Sequence, residues 1–212
     1  SVSSPTANAE IALQAVSYGT LLNGAYTAGA TFALNGTLAE GNLVNNSDNP
    51  IVVTYTFSVT TPTNPVCPLT VASQITTVTV LPAPAFTVTN AIPQLCSGNQ
   101  TNITLNTTVS GAQMRLKSVN YGTATGSLTA GALYVNGQVV SEILTNTTNT
   151  TSTVTYEFES IVAGCAPSTS QLVTVDVKPI PAITNTPLQL QQNICSGIAL
   201  NFLPTSTTDP GT

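Results

Sequence analysis

Apolar and polar residues alternate along short stretches of this chain, and the stretches end at Gly, Pro, Asn or Ser. A period of two sends alternate side chains to opposite faces of a strand. The clearest case is Val154, Tyr156 and Phe158, which predict a buried face, with Thr153, Thr155 and Glu157 turned to water. Val173, Val175 and Val177 predict a last strand, and Ile103, Leu105, Thr107 and Val109 an early one. Met114 and Leu116 are expected inside, on a strand whose Arg115 and Lys117 face out. Leu133 and Val135 lead into Asn136-Gly137, a dipeptide suited to a tight hairpin, with Val139 to Leu144 continuing the pairing. No long stretch carries the three-and-four apolar spacing of a helix. About seven short strands in about 100 residues predict an all-β fold of immunoglobulin-like antiparallel sandwiches.

The pattern repeats. Val53-Thr54-Tyr55-Thr56-Phe57 matches Val154-Thr155-Tyr156-Glu157-Phe158, and Tyr18-Gly19-Thr20 matches Tyr121-Gly122-Thr123. Thr27-Ala28-Gly29-Ala30 matches Thr129-Ala130-Gly131-Ala132, Asn35-Gly36 matches Asn136-Gly137, Cys67 matches Cys165, and Cys96 matches Cys195. The offset drifts only from 103 to 97 residues, as small loop insertions would make it. Three segments are expected: 1–84, a copy whose front would lie upstream; 85–181, a complete copy; and 182–212, the opening of a further one. Proline pairs at 82/84 and 179/181 mark the joints, and proline stiffens a short connection.

Composition narrows the setting. Charged residues make up only 5% of the 212, so polarity rests on Thr, Ser and Asn. Thr and Val suit strands because branching at Cβ fits a pleated surface. The net charge is −5, with Arg115, Lys117 and Lys178 the only cations, too few for a nucleic-acid or polybasic membrane face. No apolar run of about 18 residues suggests a membrane-spanning helix.

Four cysteines in an all-β, charge-poor chain, without a Cys-x-x-Cys pair or any histidine, suggest an oxidising compartment rather than a zinc site. Cys96 precedes the early strand and Cys165 the last one, so a sandwich could join them within one copy. That bridge would close a loop of about 70 residues, worth roughly 4 kcal/mol of chain entropy. Cys67 and Cys195 would then pair outside this stretch. The alternative is a Cys67–Cys96 bridge across the proline joint.

Ile194-Cys195-Ser196-Gly197, the Val-Thr-Tyr strand, the later Cys165 and the closing Val-x-Val-x-Pro-x-Pro at 175–181 resemble the PKD-like repeats of large type IX-secreted Bacteroidetes surface adhesins, among them gliding-motility adhesins. The resemblance spans nearly the whole chain. One departure is the absence of Trp from the strand at Arg115 to Val119. The resemblance implies extracellular, cell-surface sandwiches in series and no catalytic residues.

The remaining chemistry is thin. Without His, Ser-His-Asp and Cys-His arrangements are impossible. Glu157 and Glu159 share one strand face and could bind a cation or flank a glycosidic bond, although a solvated face is the expectation. Asp48, Asp176 and Asp209 lack calcium-loop spacing, so no metal or cofactor is expected. Gly122 to Gly126 is Gly-rich, but no Gly-Lys-Ser/Thr follows. Asn-x-Ser/Thr triplets at Asn35, Asn99, Asn102, Asn106, Asn146 and Asn149 are candidate glycan sites that a Thr- and Asn-rich composition also generates freely. Tyr18, Tyr26, Tyr121 and Tyr134 could stack on sugars but are expected to pack. The expected function is a stalk or filament segment whose partners are neighbouring repeats. The alternatives are a polysaccharide- or cell-binding module, and a filament subunit assembled by strand exchange. An enzyme is not expected.

Overall fold

The computed structural model describes residues 2–4, 9–21, 23–33, 35–60, 73–191 and 193–206. Cys67 and Asp209 lie outside them. The chain divides into two compact units, Ser1–Pro84 with Val109–Gly111, and Ala85–Thr108 with Ala112–Thr212.

The first unit is a four-stranded antiparallel sheet. Its strands are β1 (Glu10–Ser17), β2 (Thr31–Phe32), β3 (Ile51–Thr60) and β4 (Gln74–Val80), in the order β2-β1-β3-β4. Ile11 and Leu13 of β1 and Val53, Tyr55 and Phe57 of β3 fill its apolar face. These are every-second residues, so one pleated face takes them all.

The second unit is a two-sheet sandwich. Its strands are β5 (Thr87–Asn90), β6 (Gln94–Cys96), β7 (Ile103–Asn106), β8 (Gln113–Asn120), β9 (Leu133–Tyr134), β10 (Val139–Val140), β11 (Ser152–Ile161) and β12 (Gln171–Lys178). One sheet runs β6-β12-β11-β8-β9 and the other β10-β7-β5. All pairings are antiparallel except β6 with β12, which is parallel and sets Gln94, Leu95 and Cys96 against Asp176, Val177 and Lys178. Met114, Leu116, Val154, Tyr156, Phe158, Val175 and Val177 face Ile103, Leu105 and Val140 across the core. This is the all-β immunoglobulin-like sandwich that the alternation predicts. A four-residue helix, α1 (Pro187–Leu190), follows, with Thr186 and Gln189 forming a reciprocal capping box at its start.

Two sequence expectations need correction. The early strand stops at Asn106, so Thr107 and Val109 lie beyond it. Asn136-Gly137 does not close a hairpin either. β9 pairs with β8 in the large sheet, whereas β10 pairs with β7 in the small one. The turn carries the chain from one sheet to the other, with Gly137 at φ +78° and its N–H bonded to the Leu105 carbonyl at 2.8 Å. Dipeptide preference sets the local turn. Which sheet each arm joins is decided by what the arms pack against.

The internal repeat extends to irregularities. β1–β3 slips register between Leu13 and Ala15, and β8–β11 between Glu157 and Phe158. In both, the residue following the inward leucine (Leu13 or Leu116) is the extra one, a β-bulge at one place in each copy.

Tyr134 is buried and packs edge-on to Phe158 at 6.1 Å, but its hydroxyl has no hydrogen-bond partner. Phe32 holds the same place in the first unit, opposite Ile11 as Tyr134 is opposite Met114. A buried hydroxyl without a partner costs free energy. Tyr134→Phe is therefore expected to stabilise the protein by up to about 1 kcal/mol, read from the urea midpoint at unchanged slope. A loss of stability would show that the hydroxyl has a partner.

Candidate functional site

A dense polar cluster surrounds Glu142, in the segment that follows β10. Glu142 is only 3% exposed. Its carboxylate accepts from the Tyr156 hydroxyl at 2.6 Å, the Tyr121 hydroxyl at 2.9 Å, and the backbone N–H groups of Ser127 at 2.5 Å and Leu128 at 3.0 Å. The Tyr121 hydroxyl also accepts from the Leu128 N–H at 2.8 Å. A buried carboxylate is tolerable only when its lone pairs are taken up like this. Gly126 lies against the cluster, and a Cβ there would overlap the Tyr121 ring and the carboxylate.

The first unit builds the same cluster around Glu40. Tyr18 and Tyr55 donate to its Oε1, the latter at 2.9 Å, and the Ala25 N–H donates to Oε2 at 2.9 Å. Gly24 stands where Gly126 stands, with the Tyr18 ring in the place of a Cβ. Burial opposes the charge on Glu40, yet the hydrogen bonds from Tyr18, Ala25 and Tyr55 together outweigh it and hold the carboxyl below its ordinary value. Burial, then the bond to the carboxylate, pushes the phenols of Tyr18, Tyr55, Tyr121 and Tyr156 up.

The sequence reading names Tyr18 and Tyr121 but misses Glu40 and Glu142. The signal was present: a glutamate recurs 102 residues on, among Leu, Val and Ile, in a chain with eight acidic residues. The structure turns Tyr18, Tyr121 and Tyr134 inward, with the hydroxyls of Tyr18 and Tyr121 spent on glutamate. Tyr26 stacks obliquely on Phe32 at 5.6 Å. They pack rather than form an open platform.

Glu157 and Glu159 are not a working pair. Each takes its own cation from β8: Glu159 bonds Arg115, through Nε at 2.7 Å, and Glu157 bonds Lys117 at 2.7 Å and the Ser118 hydroxyl at 2.8 Å. Glu159 is buried, not solvated as expected. The Lys117 ammonium, with Ser118 and Ser170, lowers the Glu157 carboxyl to about 2. Both charges are neutralised within the sheet.

Asn146 explains one Asn-x-Ser/Thr triplet. It is buried, and its amide donates to the carbonyls of Thr150 and Val177, both at 2.8 Å. Its Oδ1 accepts from the Thr148 N–H at 3.0 Å and hydroxyl at 2.7 Å. Asn45 does the same with Asn49, Val80 and Ser47. The hydroxyl two residues on is part of an Asx turn, and neither amide nitrogen is open to a glycan.

The structure does not bring Cys96 and Cys165 together. Cys96 lies opposite Lys178, where β12 ends. Cys165 follows β11, whose Phe158 is already opposite Gln171, where β12 begins. Seven residues of strand separate those ends, about 23 Å at the strand rise, whereas a disulfide needs Cα atoms within about 7 Å. Chain order placed both near the fold's ends, but β6 runs parallel to β12, and that puts them at opposite poles. Cys195 is exposed, and the Cys67 alternative lies outside the described residues.

Among the described residues, no three His, Cys, Asp or Glu are placed to hold a metal, and no helix is long and apolar enough to cross a membrane. Residues 93–181, within the second unit, match the family model of a PKD-like domain, in keeping with their immunoglobulin-like sandwich. No curated protein matches the chain.

Two tests follow. A phenol whose value is raised on folding contributes stability that is complete below its unfolded value near 10 and is lost as pH rises beyond it. In a spectrophotometric titration, Tyr18, Tyr55, Tyr121, Tyr134 and Tyr156 are expected to ionise only together with the loss of the β circular-dichroism signal. Independent early ionisation of all of them would contradict the clusters. Peptide mapping of the oxidised protein is expected to find no Cys96–Cys165 linkage, and its presence in folded monomer would refute the polar arrangement.

Proposed function

We propose that the chain is a run of structural repeats in a long extracellular, cell-surface adhesin. It would act as a stalk or filament that carries distal parts away from the cell, in surface attachment or gliding motility. The supporting observation is the mechanical layout of the second unit. The chain enters beside Gln171, whose side-chain amide donates to the Phe86 carbonyl at 2.7 Å, and it leaves from the other end of β12 at Lys178. Between entry and exit stands the parallel β6–β12 pair, bonded by Asp176 N–H to Pro93 at 2.9 Å and Ser97 N–H to Lys178 at 2.8 Å. Pulling on the two ends loads these bonds in shear, so they must break together rather than one by one. This hydrogen-bonded pair takes the place of the expected Cys96–Cys165 bridge.

The recurrence of the Glu40 and Glu142 clusters supports the same reading. What recurs is an internal brace, and its polar groups are spent on each other. Neighbouring repeats are the partners this reading requires. A polysaccharide would have to bind elsewhere than the tyrosines, and no described feature favours it.

Single-molecule pulling on the full chain tests the proposal. Asp176→Pro removes one β6–β12 bond, a change a sheet interior tolerates poorly. It is expected to lower the unfolding force of the second unit markedly while the first unit keeps its own. An unchanged force would refute the shear clamp, and uniformly low forces in the unaltered chain would refute the stalk.

A further inference from the structure

We infer that the sheet edge formed by β10 and its continuation to Ile143 pairs antiparallel with the same edge of a second copy of this chain. The two small sheets then join into one, about a twofold axis at Ser141. The inference rests on the stalk reading above and adds to it a lateral contact between two stalks.

The open edge follows from how this segment is bonded. Val139 stands opposite Thr104 of β7, and Ile143 opposite Gln100. The bonds are made by the residues on either side of them. Leu105 N–H donates to the Gln138 carbonyl at 3.2 Å, Thr101 N–H to that of Glu142 at 2.9 Å, and Leu144 N–H to that of Asn99 at 3.1 Å. Alternate residues of a strand turn their backbone groups to opposite sides. Val139, Ser141 and Ile143 therefore direct theirs away from β7, and no partner among the described residues meets them. Their side chains share the outer face, where Val139 is 45% and Ile143 59% exposed. Two residues further on the edge is covered: Thr125 and Thr145 exchange bonds at 2.8 and 3.0 Å. Proteins blunt open edges with charge, proline or a covering group. From Val139 to Ile143 the one charged residue, Glu142, points inward, and there is no proline.

The first unit shows the same edge closed. Glu40 stands for Glu142, so Ala39 stands for Ser141. The Tyr26 hydroxyl accepts from the Ala39 N–H and donates to the Ala39 carbonyl, both at 3.3 Å, and so occupies both edge groups of that residue. The equivalent of Tyr26 is Leu128, since the N–H of each donates to the cluster tyrosine, Tyr18 in one unit and Tyr121 in the other. Leucine has no hydroxyl to offer, and the Ser141 backbone stays open. The outer positions change in the same sense. Leu133, Val135, Val139 and Ile143 stand where the first unit has Thr31, Ala33, Thr37 and Gly41. The fold therefore does not require large apolar residues at these exposed places. The edge is also complementary to itself. Turned antiparallel about Ser141, Val139 meets Ile143 and Ser141 meets Ser141, each pair exchanging both of its backbone bonds. No charge is set against a like charge. A twofold contact closes at the dimer. Its axis stands normal to the small sheet and so reverses every strand of both sheets. Two stalks joined here run in opposite directions, as stalks from facing surfaces would. The contact is small, so a single one is weak.

Sedimentation velocity of the full chain under reducing conditions, read together with hydrogen exchange over residues 138–145, tests the inference. As concentration rises, the unaltered chain is expected to pass from monomer to dimer and no further, with exchange over 138–145 slowing in step. Leu128→Tyr gives the second unit the hydroxyl that closes the first, and Ile143→Lys sets a charge on the exposed edge. Each variant, its circular-dichroism spectrum matching that of the unaltered chain, is expected to stay monomeric and to exchange at a rate independent of concentration. An unaltered chain that is monomeric at every concentration overturns the inference and leaves the edge to a strand of other sequence. Growth past the dimer, dimers undiminished in either variant, or dimers without slowed exchange over 138–145 would each overturn it as well. None of these results bears on the unfolding force of the second unit, so failure here and failure of the stalk reading are separable.

Discussion

A β-sheet with one apolar face must have that face covered, and much of this protein follows from how the covering is done. In the second unit the small sheet lies over the inner face of the large one and closes the core around Tyr156 and Phe158. Fully burying a side chain of that size contributes about 2–3 kcal/mol, so an uncovered face leaves substantial free energy unused. In the first unit the β3 side of the sheet is buried while the β4 side is open. In register, β1, β2, β3 and β4 correspond to β8, β9, β11 and β12, down to the bulge.

The sandwich also needs its loops held. Glu142 and Glu40 do this by an unusual choice for a charge-poor chain, a carboxylate placed inside. Its cost is offset by two phenols and by backbone N–H groups. The carboxylate thus ties the loop after β8 to the segment after β10 and to β11. Asn146 performs a similar service at another corner, tying its turn to the end of β12. Charged residues here are scarce, and the buried carboxylate of Glu142 is spent on internal hydrogen bonds.

Mechanics follows from strand direction. Because β6 runs parallel to β12, the chain enters the second unit at the Gln171 end of β12 and leaves at the Lys178 end. The same parallel pairing separates Cys96 from Cys165.

Much of the fold was legible because the alternation is strong: Val154, Tyr156, Phe158, Val175 and Val177 could be assigned to the core from period alone, and the repeat from paired motifs such as Tyr18-Gly19 and Tyr121-Gly122. Those are local signals, set by side-chain direction along a strand. The candidate site was half legible, since its tyrosines recur visibly while its glutamates look like surface residues when taken singly. What only the tertiary structure decided was long-range: which sheet receives each arm of Asn136-Gly137, that β6 joins β12 parallel, that Glu142 is buried, and that Cys96 and Cys165 lie at opposite poles. The physical reason is that alternation fixes the face a residue shows but not the strand it meets, and partner choice is settled by the packing of segments far apart in the chain.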